Sequence, residues 1–345
     1  VEQGTIKRVA IINDTDPTHH FGCMLVMENL RFLLKQQGVD VVWTWPVGVD
    51  WRKHKKAIQK KDRVDAFIVN GEGTIHHSAE RKHARALSEF AEFAKEAFDV
   101  DSYLINATLF QNEASEYASM RAFKKIYVRD KSSLTELQSF GLHGRYIPDL
   151  TFAKNDYQFE KIVESEKADA CVIDSALKSE LPFLKRYCLQ RGYAFRSMVV
   201  ARLSNVNFFK SPRPFVKNFY KWLTQDRLTS IRPRDFIQFL KSHRLVITGR
   251  YHTVTMCIKQ QIPFIAFESN TPKVSFLLSD VFNHTGRVVP MQNIEQISID
   301  HWANFTAKER EQMQQFVSAA EADISEMIKC IVDDINMTKT NQGIE

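Results

Sequence analysis

No apolar run in this 345-residue chain approaches the roughly 20 residues a helix needs to cross a bilayer, so no spanning helix is expected. Cysteine is sparse and unpatterned. Cys23, Cys171, Cys188, Cys257 and Cys330 are odd in number, scattered and mostly set in apolar stretches, which argues against a disulfide framework or a zinc ladder and for reduced, buried thiols. No charge of one sign dominates either. A formal charge of +6 is modest for a 40.0 kDa chain; it does not call for nucleic acid, and it suits anionic substrates or an anionic membrane face. The opening VEQGTIKRVAIIN reads straight into a strand without a secretory pattern, so the expected location is cytoplasmic, with peripheral contact at the inner membrane face as an option. Sequons at Asn13, Asn106, Asn283, Asn304 and Asn336 would suit a secreted protein, but Asn13 and Asn106 close apolar strand-like runs, where a glycan would block a sheet edge.

What is present is ordinary for a packed globule: 44% hydrophobic and 26% charged residues exclude wholesale disorder, and the length exceeds one usual core. Strand-like runs alternate with helix-like ones, the signature of parallel sheets with crossover helices. KRVAIIN (7–13), VDVVWTW (39–45), AFIVN (66–70), SYLINATL (102–109), KIYVRD (125–130) and RYIPDL (145–150) read as strands of a first half, with MLVMENLRFLLKQQG (24–38) and a charged stretch from about 78 to 98 as helices. A second half opens with ACVID near residue 168 and continues through YAFRSMVV (193–200), PRDFIQFLKSH (233–243), RLVITG (244–249) and PFIAF (263–267). The expected fold is α/β, two Rossmann-like domains facing a central cleft in the GT-B-like manner. Residues 1–152 form the first domain, 153–320 the second, and 321–345 a C-terminal helix with a polar tail. Ligands in such sheets bind beyond the carboxyl ends of the strands, so functional residues should follow strands.

Three stretches meet that condition. The turn Asn70-Gly71-Glu72-Gly73-Thr74 has glycines where a backbone turns sharply, and ahead of a helix it would offer N–H groups to an anion; His76 and His77 come next. His19 and His20 follow the first strand, and the four histidines admit a zinc site in principle. Vicinal imidazoles diverge, however, and nothing else has ligand spacing, so no metal is expected and substrate contact is the favoured role for His20, His76 and His77. The stretch LVITGRYHT (245–253) is the most informative: a buried strand ends at Gly249 and a helix begins with Arg250 and His252, a bidentate anion fork beside a proton carrier. A fourth segment, about 202–234, mixes Phe208, Phe209, Phe215, Phe219, Tyr220 and Trp222 with Lys210, Arg213, Lys217, Lys221 and Arg227. It reads as an amphipathic surface helix, or as a flap touching an acceptor or a membrane.

RLVITGRYHTVTMCIKQQIPFIAFESNTPKVSFLL (244–278) resembles the C-terminal signature of polysaccharide pyruvyl transferases: strand, Arg-x-His, helix, Pro-led strand and a Lys opening another helix. GEGT, YVRDKSSLTELQSFG, PDLTF and FGCMLVMENLRFLLKQQG resemble other segments of that family in the same order, with Gly-Glu-Gly where the family has a Gly-Gly-Gly-like turn. The resemblance implies transfer of an enolpyruvyl unit from phosphoenolpyruvate to two hydroxyls of a surface glycan, without a cofactor. Under it, Arg250 and Arg129 hold the donor's anionic groups, His252 moves the proton, and Gly71, Glu72, Gly73, Thr74 and Lys273 line the substrate pocket, with Asp130 as a helix cap or an orienter of Arg129. The alternative donor is a nucleotide-activated sugar, such as a keto-sugar acid, handled by a GT-B-like glycosyltransferase with Glu72 or Asp14 as its acidic group. A non-catalytic sugar-binding protein is the third reading.

Overall fold

The computed structural model describes residues 6–155, 167–202 and 212–342. The first strands form where apolar runs are buried on both faces, as parallel strands under crossover helices require. β1 (Lys7–Asp14) is buried from Val9 onward and β3 (Ala66–Asn70) throughout. Around them the chain supplies α1 (Phe21–Gln36), β2 (Val39–Pro46), α2 (Lys55–Gln59), α3 (Lys82–Ser88), α4 (Phe90–Phe98), β4 (Asp101–Ala107), α5 (Ala114–Met120), β5 (Lys125–Val128), α6 (Lys131–Ser139) and β6 (Arg145–Tyr146). A second set follows: β7 (Ala168–Ser175), α7 (Leu181–Arg191), β8 (Ala194–Arg196), α8 (Pro212–Lys221), α9 (Pro233–Lys241), β9 (His243–Gly249), α10 (Tyr251–Lys259), β10 (Phe264–Ala266), α11 (Lys273–Phe282), α12 (Ile299–Trp302) and α13 (Ala307–Gln342).

Two parallel sheets result, ordered β2-β1-β3-β4-β5-β6 and β10-β9-β7-β8. Both share one device. The chain adds its second strand on one side of the first and its third on the other, so the order reverses between β1 and β3 in one sheet and between β7 and β9 in the other. Crevices open at the carboxyl ends of strands at such reversals.

Compactness groups the chain into two units: Val1–Thr15, Met27–Ala153 and Ala319–Glu345 in one, Asp16–Val26 and Lys154–Ser318 in the other. The partition expected from the sequence was linear, whereas here the start of α1 belongs with the later residues and the end of α13 with the earlier ones. Lys125 and Arg145 pair with Asp334 and Asp323, which ties that last helical stretch to the first sheet.

Several expected elements are shorter than read. Of YAFRSMVV only Ala194–Arg196 is strand, because the Met198 N–H bonds Asp174 and Val199 bridges to His20 instead of extending the sheet. Of RYIPDL only Arg145–Tyr146 is strand; Pro148 follows, and Leu150–Phe152 makes a single 3-10 turn capped by Asp149. The charged helix starts at Lys82 rather than near Ser78 and breaks at Glu89, where the Ser88 hydroxyl bonds the Ala84 carbonyl. The final helix runs on to Gln342, into the stretch read as a polar tail.

In the second unit Arg287, 3% exposed, is saturated. It donates from Nε and Nη2 to Glu309 (2.6 and 3.1 Å), from Nη1 to the Phe264 carbonyl and from Nη2 to the Asn304 carbonyl (both 2.9 Å), and its plane lies 4.2 Å from the Phe305 ring centroid. Arg287→Met leaves the Glu309 carboxylate without its cation, and should cost about 3–5 kcal/mol in urea unfolding. An unchanged midpoint would show that the pair adds no net stability.

Candidate functional site

The second unit's switch point is built by β7 and β9. β7 ends at Asp174 and Ser175, β9 at Gly249, and Arg250 then caps α10 in extended backbone. Arg250 is clamped before any ligand arrives: its Nε and Nη2 donate to the two oxygens of Asp174 at 2.9 and 2.8 Å. Asp174, 6% exposed, is itself held by the Ser197 hydroxyl (2.9 Å) and the Met198 N–H (3.0 Å). The Arg250 side chain retains 22% exposure, and its Nη1 bonds no group among the described residues. A planar fork fixed on one edge and open on the other is pre-organised for an anion.

His252, 7% exposed, sits in the first turn of α10. The first turn of α1 packs directly against it, and only glycine permits that contact, since a Cβ on Gly22 would lie 2.2 Å from the His252 Cβ. His20, just before α1, meets His252 edge to face with ring centroids 5.6 Å apart. The His20 Nδ1 accepts the Cys23 N–H at 3.3 Å, so in the neutral ring the hydrogen is on Nε2. Burial pushes the His20 pKa well below its usual 6.5, and the neighbouring charges of His252, Arg250 and Lys273 push the same way. Lys273 opens α11 and donates to Asn270 at 3.4 Å, while the N–H groups of Val274 and Ser275 are already capped by Glu268. Three α-helix starts, a neutral imidazole donor and two cations thus make a cationic cluster within one unit.

Cys23 joins that cluster. One ligand atom each from His20, Cys23 and His252 lie within 4.8 Å of one another, a nitrogen–nitrogen–sulfur set of a kind zinc accepts. Spacing along the chain did not reveal it, because His252 lies on another element. Asp174 was missed too, although an acid closing the apolar run ACVI was a visible signal.

The first unit holds a different cluster at its own switch point. Gly71 is required by close packing, since a Cβ there would lie 2.5 Å from the Ala107 Cβ. The turn is not an anion cradle before a helix. The Gly71 N–H bonds the Ile105 carbonyl, the Thr74 N–H closes the turn on the Gly71 carbonyl, and the next helix starts only at Lys82. Glu72, 4% exposed at φ +35°, accepts from the Asn70 amide at 3.3 Å; Gly73 and Thr74 are partly exposed, and the Asn13 amide donates to the Asn70 carbonyl (2.6 Å) and to Thr74 (3.5 Å). His76 and His77 do not diverge as vicinal imidazoles were expected to: His77 at φ +50° turns the rings together, Nδ1 to Nδ1 at 2.7 Å, and Arg81 donates to His76. Arg129, expected to grip an anion, is 2% exposed, with Nε on the Thr108 hydroxyl (2.7 Å) and Nη1 on Asp149 (2.8 Å). Asp130 caps α6, as read from the sequence.

The profile of the polysaccharide pyruvyl transferase family matches residues 20–271. The chain belongs to that family. The matched stretch begins at the His20 of the cationic cluster and runs past Arg250 and His252. No curated protein matches the chain in sequence. Among solved structures it is similar to a candidate UDP-N-acetylglucosamine 2-epimerase of Listeria monocytogenes (12% identity, covering 90% of this chain and 91% of that one, TM-score 0.51). It is also similar to S. aureus MnaA in its co-structure with UDP (13%, 92% and 92%, TM-score 0.50), and to an uncharacterised Klebsiella pneumoniae protein (11%, 82% and 91%, TM-score 0.50). At these identities the likeness is one of fold, and it bears out the GT-B-like α/β class expected from the strand and helix pattern.

For this transferase the imidazole of His20 should stay neutral in the folded state as pH falls through the ordinary histidine range, which NMR of the ring carbons reads directly. Because its folded pKa lies below 6.5 while the unfolded chain takes up a proton near that value, stability should decline as pH falls below 6.5. His20→Asn keeps a capping side chain and should flatten that decline. An unchanged acid limb in the variant would mean that His20 contributes none of it.

Proposed function

We propose that this transferase moves the enolpyruvyl unit of phosphoenolpyruvate onto two hydroxyls of a surface glycan, releasing phosphate and leaving a cyclic pyruvate ketal. The observation that carries the reading is Arg250 fixed on Asp174 with its Nη1 edge open beside His252. In the first step one sugar hydroxyl adds to C2 of the donor and passes its proton to the donor's phosphate, and the methylene carbon gains a proton from His252 and becomes methyl. Phosphate then departs, taking the electrons of the C2–O bond, and leaves an oxocarbenium-like carbon beside the carboxylate. The second hydroxyl closes the ring and gives its proton to His252, which restores it. Two hydroxyl protons leave the acceptor; one is retained in the methyl group and one is released with phosphate. Arg250 and Lys273 balance the donor's negative charges, and the neutral His20 donates from Nε2 to a phosphate oxygen. In this reading Arg129 fixes the carboxyl edge of the first sheet rather than gripping the donor. The reaction runs on the cytoplasmic side.

A nucleotide-activated sugar makes nearly the same demands for cations and a proton carrier, and the fold shared with the UDP-bound S. aureus protein keeps it as the second donor to test. Incubation with phosphoenolpyruvate and bacterial surface glycans should release inorganic phosphate in proportion to acceptor. Nucleotide release from a nucleotide-sugar panel, with no phosphate from phosphoenolpyruvate, would replace this donor. Arg250→Ala and His252→Ala should each lower turnover at least ~100-fold while the protein stays folded. Rates near the parent's in either variant would remove that residue from the mechanism.

The scheme uses no metal ion. Activity should therefore persist in a chelator, with no stoichiometric zinc in the purified protein. Loss of activity with rescue by a divalent ion would reassign His20, Cys23 and His252 as its ligands.

A further inference from the structure

α8 and the turn after it are held down by polar contacts beside the half-buried Phe215 and Trp222, and they carry further apolar side chains on the outside. The polar contacts are specific: Asn218 donates to the Arg202 carbonyl and Lys221 to the Val199 carbonyl (both 2.6 Å). Asp226, 7% exposed, accepts the Ala201 N–H at 2.6 Å and pairs with Lys221 at 3.3 Å. The outward residues Val216, Phe219 and Tyr220 are 58, 40 and 67% exposed and share one face of α8 by their spacing of three and four residues, and Leu223, in the π-helical turn that follows, is 48% exposed. Leu228, just beyond, is 96% exposed. A helix that serves only its own domain turns its apolar stripe inward.

Charge identifies the occupant. Arg213, Lys217 and Arg227 are exposed along the same segment, and between 212 and 230 the only acid is the buried Asp226. A second copy of the chain meeting this face by twofold symmetry would set each basic rim against its own image. A bilayer bearing acidic headgroups meets both features at once.

We propose that this face docks on an anionic lipid surface. Val216, Phe219, Tyr220 and Leu223 enter the boundary between headgroups and acyl chains, and Arg213, Lys217 and Arg227 lie on the lipid phosphates. The inference is independent of the donor and of the reaction, since it stands on the composition of one exposed face.

Co-sedimentation of the full chain with phosphatidylcholine vesicles, and with vesicles that also contain phosphatidylglycerol, tests it without an activity assay. Binding should require the acidic lipid and fall as salt rises. Lys217→Glu with Arg227→Glu should weaken partitioning at least ~10-fold. Phe219→Ser with Leu223→Ser should weaken it even at low salt. Both pairs are exposed, so thermal unfolding should match the parent's, and that match is the control that any loss of binding belongs to the face. No binding to acidic vesicles, binding indifferent to both double variants, or a dimer in light scattering that Phe219→Ser with Leu223→Ser dissociates would each overturn the proposal.

Discussion

The arrangement of the second unit's cationic edge depends on one ion pair. Asp174 ends β7 and Arg250 follows β9, adjacent strands on either side of the point where strand order reverses. Two hydrogen bonds to a single carboxylate fix the guanidinium plane as well as its position, and the same carboxylate binds the Met198 N–H that leads into the bridge between Val199 and His20. The location of His20, and with it the first turn of α1 against His252, is thus linked to the orientation of Arg250. A partly buried arginine with its charge balanced on one edge costs less to keep out of water than an isolated one, and it needs no rearrangement to meet an anion.

The first sheet solves a different problem at its equivalent edge. Asn13, Glu72 and Asn106 follow or end β1, β3 and β4, and all have positive φ, at 64°, 35° and 57°. Three neighbouring strands that end in left-handed backbone bend the chain away in concert, and the side chains at that layer are largely buried and polar. Asparagine tolerates the region best, whereas a buried glutamate held there by the Asn70 amide pays in strain for a fixed carboxylate. One topology, used twice, therefore yields a cationic edge in one unit and a mixed amide and carboxylate edge in the other.

The sequence carried the alternation of elements, the strand ending at Gly249, the roles of Arg250 and His252 as neighbours of one helix start, and Asp130 as a cap. These are local facts, set by periodicity and by residues a few positions apart. It did not carry the Asp174 clamp or the assembly of His20, Cys23 and His252, because each joins segments dozens or hundreds of residues apart. Arg129 shows a related limit. An arginine after a strand reads the same whether it faces a ligand or a partner such as Asp149, and only the fold supplies the partner. The vicinal histidines failed on backbone conformation, since divergence assumes ordinary φ and His77 has 50°. Phe208, Phe209 and Lys210, read as part of the basic and aromatic segment, lie outside the described residues.

That segment also shows where composition stops being informative. Bases and aromatics in alternation suggest an amphipathic helix, but they do not say which face turns inward. Had Val216, Phe219, Tyr220 and Leu223 packed on the unit, the helix would be an ordinary surface element and its bases a solvated rim. The choice is made by Asn218, Lys221 and Asp226, whose hydrogen bonds to backbone groups between 199 and 202 hold the polar side down. Leaving that stripe in water forgoes about 25 cal/mol for each Å² uncovered, a loss that a second apolar medium would recover. The polarity of α8 is thus a statement about its surroundings as much as about its own domain.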